Sequence, residues 1–188
     1  MATGVETIQI REATVEDQAD VIRLFGELHR YNAELDPRFA LADNWQDLVG
    51  TYLQQSFHSD ESIWLIARMQ ERAIGFVLVE VHYDSPLYKY RRWAEIVGLY
   101  VEMEQRGGEV ADLLMQHAYG WAEARKLCTM QLYVTASNVR AQRFYERHGF
   151  DTSQLIMRRA LATELRANGS APSAADRLHF SEGGSRPF

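Results

Sequence analysis

At 188 residues, 46% of them hydrophobic, the chain carries enough apolar surface for one buried core and too little length for two independent ones. Twenty Lys and Arg against 26 Asp and Glu leave a formal net charge of -6, which argues against nucleic acid or an anionic membrane as partner and suits a cationic ligand better. Cys128 is the single cysteine, so neither an intramolecular disulfide nor a cysteine metal cluster can form, and a reducing cytoplasm is the expected compartment.

Met1 to Glu6 lack a secretory pattern, and no apolar run approaches the roughly 18 residues of a membrane span, so a soluble intracellular protein is expected. Ile8 to Arg11 alternates as a strand, and Thr14 with Asp17 forms a capping box that opens a helix. Val21, Leu24, Phe25 and Leu28 give that helix one apolar stripe ending near Tyr31, and Asp36-Pro37 breaks it. Trp45, Leu48, Val49, Tyr52 and Leu53 predict a second helix over about Asn44 to Phe57. Ser62 to Arg68 and Ala73 to Tyr83, divided by Gln70-Glu71-Arg72, read as an antiparallel hairpin whose second arm is a central strand.

A loop from Asp84 to Arg92 leads into a strand over Trp93 to Val101. Past Gly107 and Gly108, the residues Val110, Leu113, Leu114, Ala118 and Trp121 define a third helix ending near Arg125 and Lys126. On the same apolar face His117 reads as a buried, hydrogen-bonded histidine. Met130 to Thr135 is a further strand. Asn138 as N-cap and Gly149 as C-cap bracket a short helix through Phe144 and Tyr145, and Leu155 to Leu161 supplies a last strand. The composition of 166–188, rich in Ala, Gly, Ser and Pro, predicts a flexible tail after a domain over 1–165.

Three stretches carry a more specific signal: Ala94-Glu95-Ile96-Val97-Gly98-Leu99-Tyr100-Val101, then Arg106-Gly107-Gly108-Glu109-Val110-Ala111, then Asn138-x-x-Ala141-x-x-Phe144-Tyr145-x-x-x-Gly149-Phe150. Together they resemble the GNAT superfamily of N-acetyltransferases. The resemblance implies an α/β (α+β) fold: a mixed, mostly antiparallel twisted sheet of six to seven strands, flanked by about four helices and splayed between its fourth and fifth strands. It also implies acetyl-CoA as co-substrate, no metal, a small-molecule or peptide amine as acceptor, and neither nucleic acid nor membrane as partner. Homodimers are common in the family, and nothing in the sequence decides that point.

By the same resemblance, the turn from Arg106 through Gly107, Gly108, Val110 and Ala111 binds the coenzyme pyrophosphate. Unpaired amides of a first helical turn and the helix dipole favour an anion there. Glu109 stands where the family carries its middle glycine, placing a carboxylate beside the diphosphate. Leu99, Tyr100 and Val101 would offer the strand edge to the pantetheine arm and an amide to the thioester oxygen, and Asn138 would touch the same arm.

Acetylating an amine also needs a base, because an alkylamine with a pKa of about 10 is protonated at neutral pH. Glu95 resembles the glutamate base of histone-type members; its alternative is a surface glutamate paired with Arg91 or Arg92. Tyr145 takes the family's position for the acid that protonates the leaving thiolate. His29, Tyr31 and Asp36, with Tyr83, Tyr88 and Tyr90, belong to segments near the acceptor entrance, where packing and surface roles compete with binding. The rival to an enzyme is a non-catalytic module of the same fold whose coenzyme binding Glu109 has abolished.

Overall fold

The computed structural model describes residues 7–159, which divide into two compact units, 7–137 and 138–159. The first unit holds β1 (Ile8–Glu12), α1 (Gln18–Leu35), α2 (Trp45–Ser56), β2 (Ser62–Met69), β3 (Arg72–Tyr83), β4 (Arg92–Val101), α3 (Val110–Ala124) and β5 (Met130–Leu132). The strands form one sheet in the order β1-β2-β3-β4-β5. All its pairings are antiparallel except the parallel pair of β4 and β5, so β3 is central.

Local chemistry explains the elements. The Thr14 amide donates to the Asp17 carboxylate at 2.9 Å, closing the predicted box ahead of α1, and Asp36-Pro37 stops that helix at Leu35. Between β2 and β3 the chain reverses at Gln70, held in the left-handed region at φ 53.

One face of the sheet packs under α1 and α2. Val21, Leu24 and Phe25 of α1 and Val49 and Leu53 of α2 are buried with Trp64, Ile66, Phe76 and Leu78. The Trp64 and Phe76 rings lie 5.5 Å apart, and the Trp64 indole N–H, sealed from water, donates to Ser56 Oγ at 2.9 Å. Each such large side chain contributes about 1.5–3 kcal/mol of burial. On the other side, α3 lies against β2 and β3 and buries Val110, Leu114, Met115, Ala118 and Trp121.

The second unit contains α4 (Val139–Arg147). Its N-cap is Asn138, whose Oδ1 accepts from the Ala141 amide at 3.1 Å, and Gly149 follows its last turn at φ 82.

Four expectations need correction. The sheet has five strands among the described residues, not six to seven. The strand expected over Met130 to Thr135 ends at Leu132. The register between β3 and β4 shifts between Leu78 and Val79, which leaves Val97 as an extra residue in β4; the bulge bends β4, and pairing with β5 stops at Ile96. Leu155 to Arg159 forms no strand, since a strand needs a partner for its amides and none is recorded for this segment among the described residues. The remainder of that expected strand, Ala160-Leu161, and the expected tail lie outside the described residues. His117 is exposed rather than buried, although its Nδ1 lies 2.9 Å from the Leu113 carbonyl as expected of a hydrogen-bonded histidine.

Candidate active site

β4 organises the first unit's site. It is ten residues long, yet β5 pairs with it only at Ala94, Glu95 and Ile96. Beyond the bulge, Gly98 to Val101 pairs only with β3 among the described residues, and this stretch contains Leu99, Tyr100 and Val101. A strand that loses one neighbour halfway along leaves a slot where an extended ligand can add as a strand does.

The chain leaves β4 through a single turn at Met103–Gln105 and reaches Arg106. Arg106 Nε donates to the Val101 carbonyl at 2.9 Å, and its guanidinium lies 5.2 Å from the Tyr31 ring centre and 5.3 Å from that of Tyr100. The arginine thereby ties the following turn to the end of β4 and to α1. Burial pushes the Tyr100 phenol above its ordinary pKa, so it stays neutral.

Gly107 follows at φ 86, a conformation that explains one glycine. A Cβ on Gly108 would come no nearer than an ordinary 3.5 Å to the Gln105 carbonyl, so no packing within the protein requires the second. The first helical bond of α3 runs from the Leu113 amide to the Glu109 carbonyl, so the amides of Glu109, Val110 and Ala111 precede it. Val110 buries its side chain and Ala111 is half-buried, which leaves main-chain hydrogens as the groups these residues can present. Glu109 is exposed and makes no side-chain cap to its own helix. The turn thus fits a diphosphate: open, with one glycine not required by packing, and not capped by the carboxylate in its midst.

Glu95 sits on β4 just before the bulge, register-paired with Gln131 on one side and Glu80 on the other. Its side chain is 17% exposed, and Oε2 is buried without a hydrogen-bond partner. Among the described residues neither Arg91 nor Arg92 pairs with it: Arg92 donates to the Arg125 carbonyl and covers the Tyr83 ring, and the ionic neighbour of Glu95 there is His82 Nδ1, at 3.8 Å. Glu102, seven residues on, shows the contrasting case. Both its oxygens are taken, by Arg23 and Arg72 at 2.7 Å each, so it anchors the end of β4 and has no chemistry to spare.

Glu80 and His82 were not singled out from the sequence. They lie on β3, on the face that Phe76 and Leu78 share with α1, and His82 stacks on Trp93 at 4.5 Å. Desolvation first, and the charge of Glu95 second, raise the Glu80 carboxyl to a pKa of about 7. The signal was present in the apolar run Ala73 to Val81, interrupted beyond its glycine only by Glu80; hairpin register was needed to bring it opposite Glu95.

The remaining candidates take plainer roles. His29 is held below its ordinary pKa by burial and packs on Phe25 at 4.3 Å, while Asp36 ion-pairs with Arg38. Tyr83 donates to Glu61 at 2.8 Å; Tyr88 and Tyr90 are exposed. In the second unit Tyr145 packs edge-on against Phe144 and Phe150, with ring centres 5.3 and 5.7 Å away.

Comparison with known proteins agrees with this architecture. An N-acetyltransferase of Methanocaldococcus jannaschii, itself uncharacterized, is 25% identical over 152 residues, a match that spans 81% of this chain and 64% of the relative's length. A second uncharacterized N-acetyltransferase, from Archaeoglobus fulgidus, is 27% identical over 144 residues, covering 73% of this chain and 89% of its own. Among solved structures, an aminoglycoside N-acetyltransferase in complex with CoA superposes with a TM-score of 0.68 at 16% identity, over 86% of this chain and 99% of that one, a likeness of fold. The model of the acetyltransferase (GNAT) family matches residues 20–150, most of the chain, and the protein belongs to that family of N-acetyltransferases.

Proposed function

We propose that the protein transfers the acetyl group of acetyl-CoA to a primary amine by direct attack in a ternary complex. The observation that carries this reading is the half-released β4: its ladder to β5 ends at Ile96, while the strand continues to Val101 and leads through the turn at Met103–Gln105 to the open Gly107-Gly108 turn. Acetyl-CoA supplies the activated thioester. The amides of Glu109, Val110 and Ala111 hold its diphosphate with Arg106 fixing the turn, Leu99 to Val101 and Asn138 receive the pantetheine arm, and a β4 amide stabilises the thioester oxygen as it gains charge.

Glu95 removes a proton from the acceptor ammonium, directly or through water, and the freed nitrogen lone pair attacks the carbonyl carbon. As the carbon–sulfur bond breaks, Tyr145 protonates the departing thiolate, and the acylated nitrogen gives up its second proton, through water, to the phenolate that this leaves. The acceptor is a small-molecule or peptide amine. That class is in keeping with the acidic character of the chain and with a fold shared with an aminoglycoside-acetylating enzyme.

Mass spectrometry of pooled amines, incubated with the protein and acetyl-CoA, tests the activity. Acetylated amine is expected, with release of free coenzyme. Tyr145→Phe and Glu95→Gln should each lower turnover by about 10²-fold or more while leaving the Kd for acetyl-CoA unchanged. Full turnover in either variant removes that residue from the mechanism. Binding of acetyl-CoA without any acetylated product would instead favour the non-catalytic module.

A further inference from the structure

A lone carboxylate near its ordinary pKa of about 4.3 is a weak base toward an alkylammonium, and general bases work best when matched to the operating pH. Glu95 is not alone. The β3–β4 register sets Glu80 directly across from it, and like charges directly opposite on one face destabilise a sheet unless something relieves them.

The nearby basic groups do not neutralise the pair. On α1, Arg23 is bound to Glu102 and Arg30 to Glu27, and His29 packs on Phe25. Opposite Glu80, β2 brings Ser62, and Tyr83 further along β3 engages Glu61. From β5, Gln131 meets Glu95 in register and donates to the Tyr133 hydroxyl at 3.1 Å. On α2, Tyr52 packs on Trp64. Among the described residues only His82 approaches, and 3.8 Å is too far for a hydrogen bond to Glu95 Oε2.

We propose that Glu80 is a positioning residue for the base: facing Glu95 across the ladder, it shares a single proton with it, so that the two carboxylates act as one base suited to neutral pH. In the doubly ionised pair an N–H bond of the acceptor ammonium breaks, its electron pair stays on nitrogen, and an O–H bond forms on the pair. Burial of Glu80 and repulsion between the carboxylates both favour taking up that proton. The inference rests on the reading of Glu95 as base and adds a partner that reading does not require.

The test is a pH titration of the full-length protein labelled with ¹³C at glutamate carboxyl carbons, in wild type, Glu80→Gln, Glu95→Gln and Glu80→Asp. One of the two resonances should titrate near pH 7 in the wild type. Glu95→Gln should lower the Glu80 midpoint by at least about half a pH unit, a threefold loss of proton affinity, while Glu80→Asp should keep a coupled neutral-range transition. An identical Glu80 midpoint with and without Glu95, or no neutral-range transition in wild type, overturns the proposal. Each variant's thermal melt confirms that it is folded. The titration needs no acceptor, so its outcome is separate from the turnover assay on Glu95→Gln, which decides whether Glu95 is the base.

Discussion

Asp17 and Glu80 show how burial acts on a carboxylate with and without partners. Burial alone would raise Asp17, but Arg11 at 2.6 and 2.8 Å, the Thr14 amide and Thr14 hydroxyl outweigh it and hold the carboxyl at about 2; Arg68 adds a further contact at 2.9 Å. A depressed folded pKa means that its contribution to stability is present above about pH 4 and is lost as pH falls through 2, amounting to about 2 kcal/mol. Glu80 has the opposite sign. Its raised pKa makes folding more favourable below about pH 4.5 and removes that advantage as pH rises through 7. Urea unfolding across pH should therefore show a loss between pH 4 and 2 that is missing in Asp17→Asn, and Glu80→Gln should be more stable than wild type at pH 8. Parallel curves for all three proteins would contradict both assignments.

Among the elements, the pairing of β3 with β4 is the one the site depends on, and its tolerance is set at Gly75. A Cβ there would lie 2.7 Å from the Tyr100 carbonyl, which belongs to the backbone and cannot turn aside. Gly75→Ala should cost about 1–3 kcal/mol. Gly120, inside α3 with nothing within 4 Å of a Cβ, gives the control: Gly120→Ala should stabilise by about 0.5–1 kcal/mol. Equal midpoints in urea for the two variants would refute the close approach at Gly75. What could be read from the sequence followed the same division between local and non-local information. Helix caps at Thr14 and Asn138, the break at Asp36-Pro37 and the β-rich runs of the β2–β3 hairpin are local, and all were legible. The bulge at Val97, the early end of β5 and the encounter of Glu80 with Glu95 depend on register between strands, which residue order alone does not display. His117 misled for a similar reason: a heptad step from Val110 puts it near the buried stripe, yet it falls at the stripe's exposed margin.

For the whole molecule, the chain belongs to the acetyltransferase (GNAT) family, and the proposed acetyl transfer turns on whether this chain binds the acetyl donor despite Glu109. The exposed position of that carboxylate, clear of its own helix cap, leaves the turn's main-chain hydrogens free to meet a diphosphate, at the cost of repulsion that glycine would not impose. Isothermal titration calorimetry of the full-length protein with acetyl-CoA tests this most directly. The account predicts saturable binding at one site, tightened about twofold to fivefold in Glu109→Gly, the equivalent of about 0.3–1 kcal/mol for a charge at a helix N-terminus. Absence of binding to wild type at millimolar acetyl-CoA would contradict it.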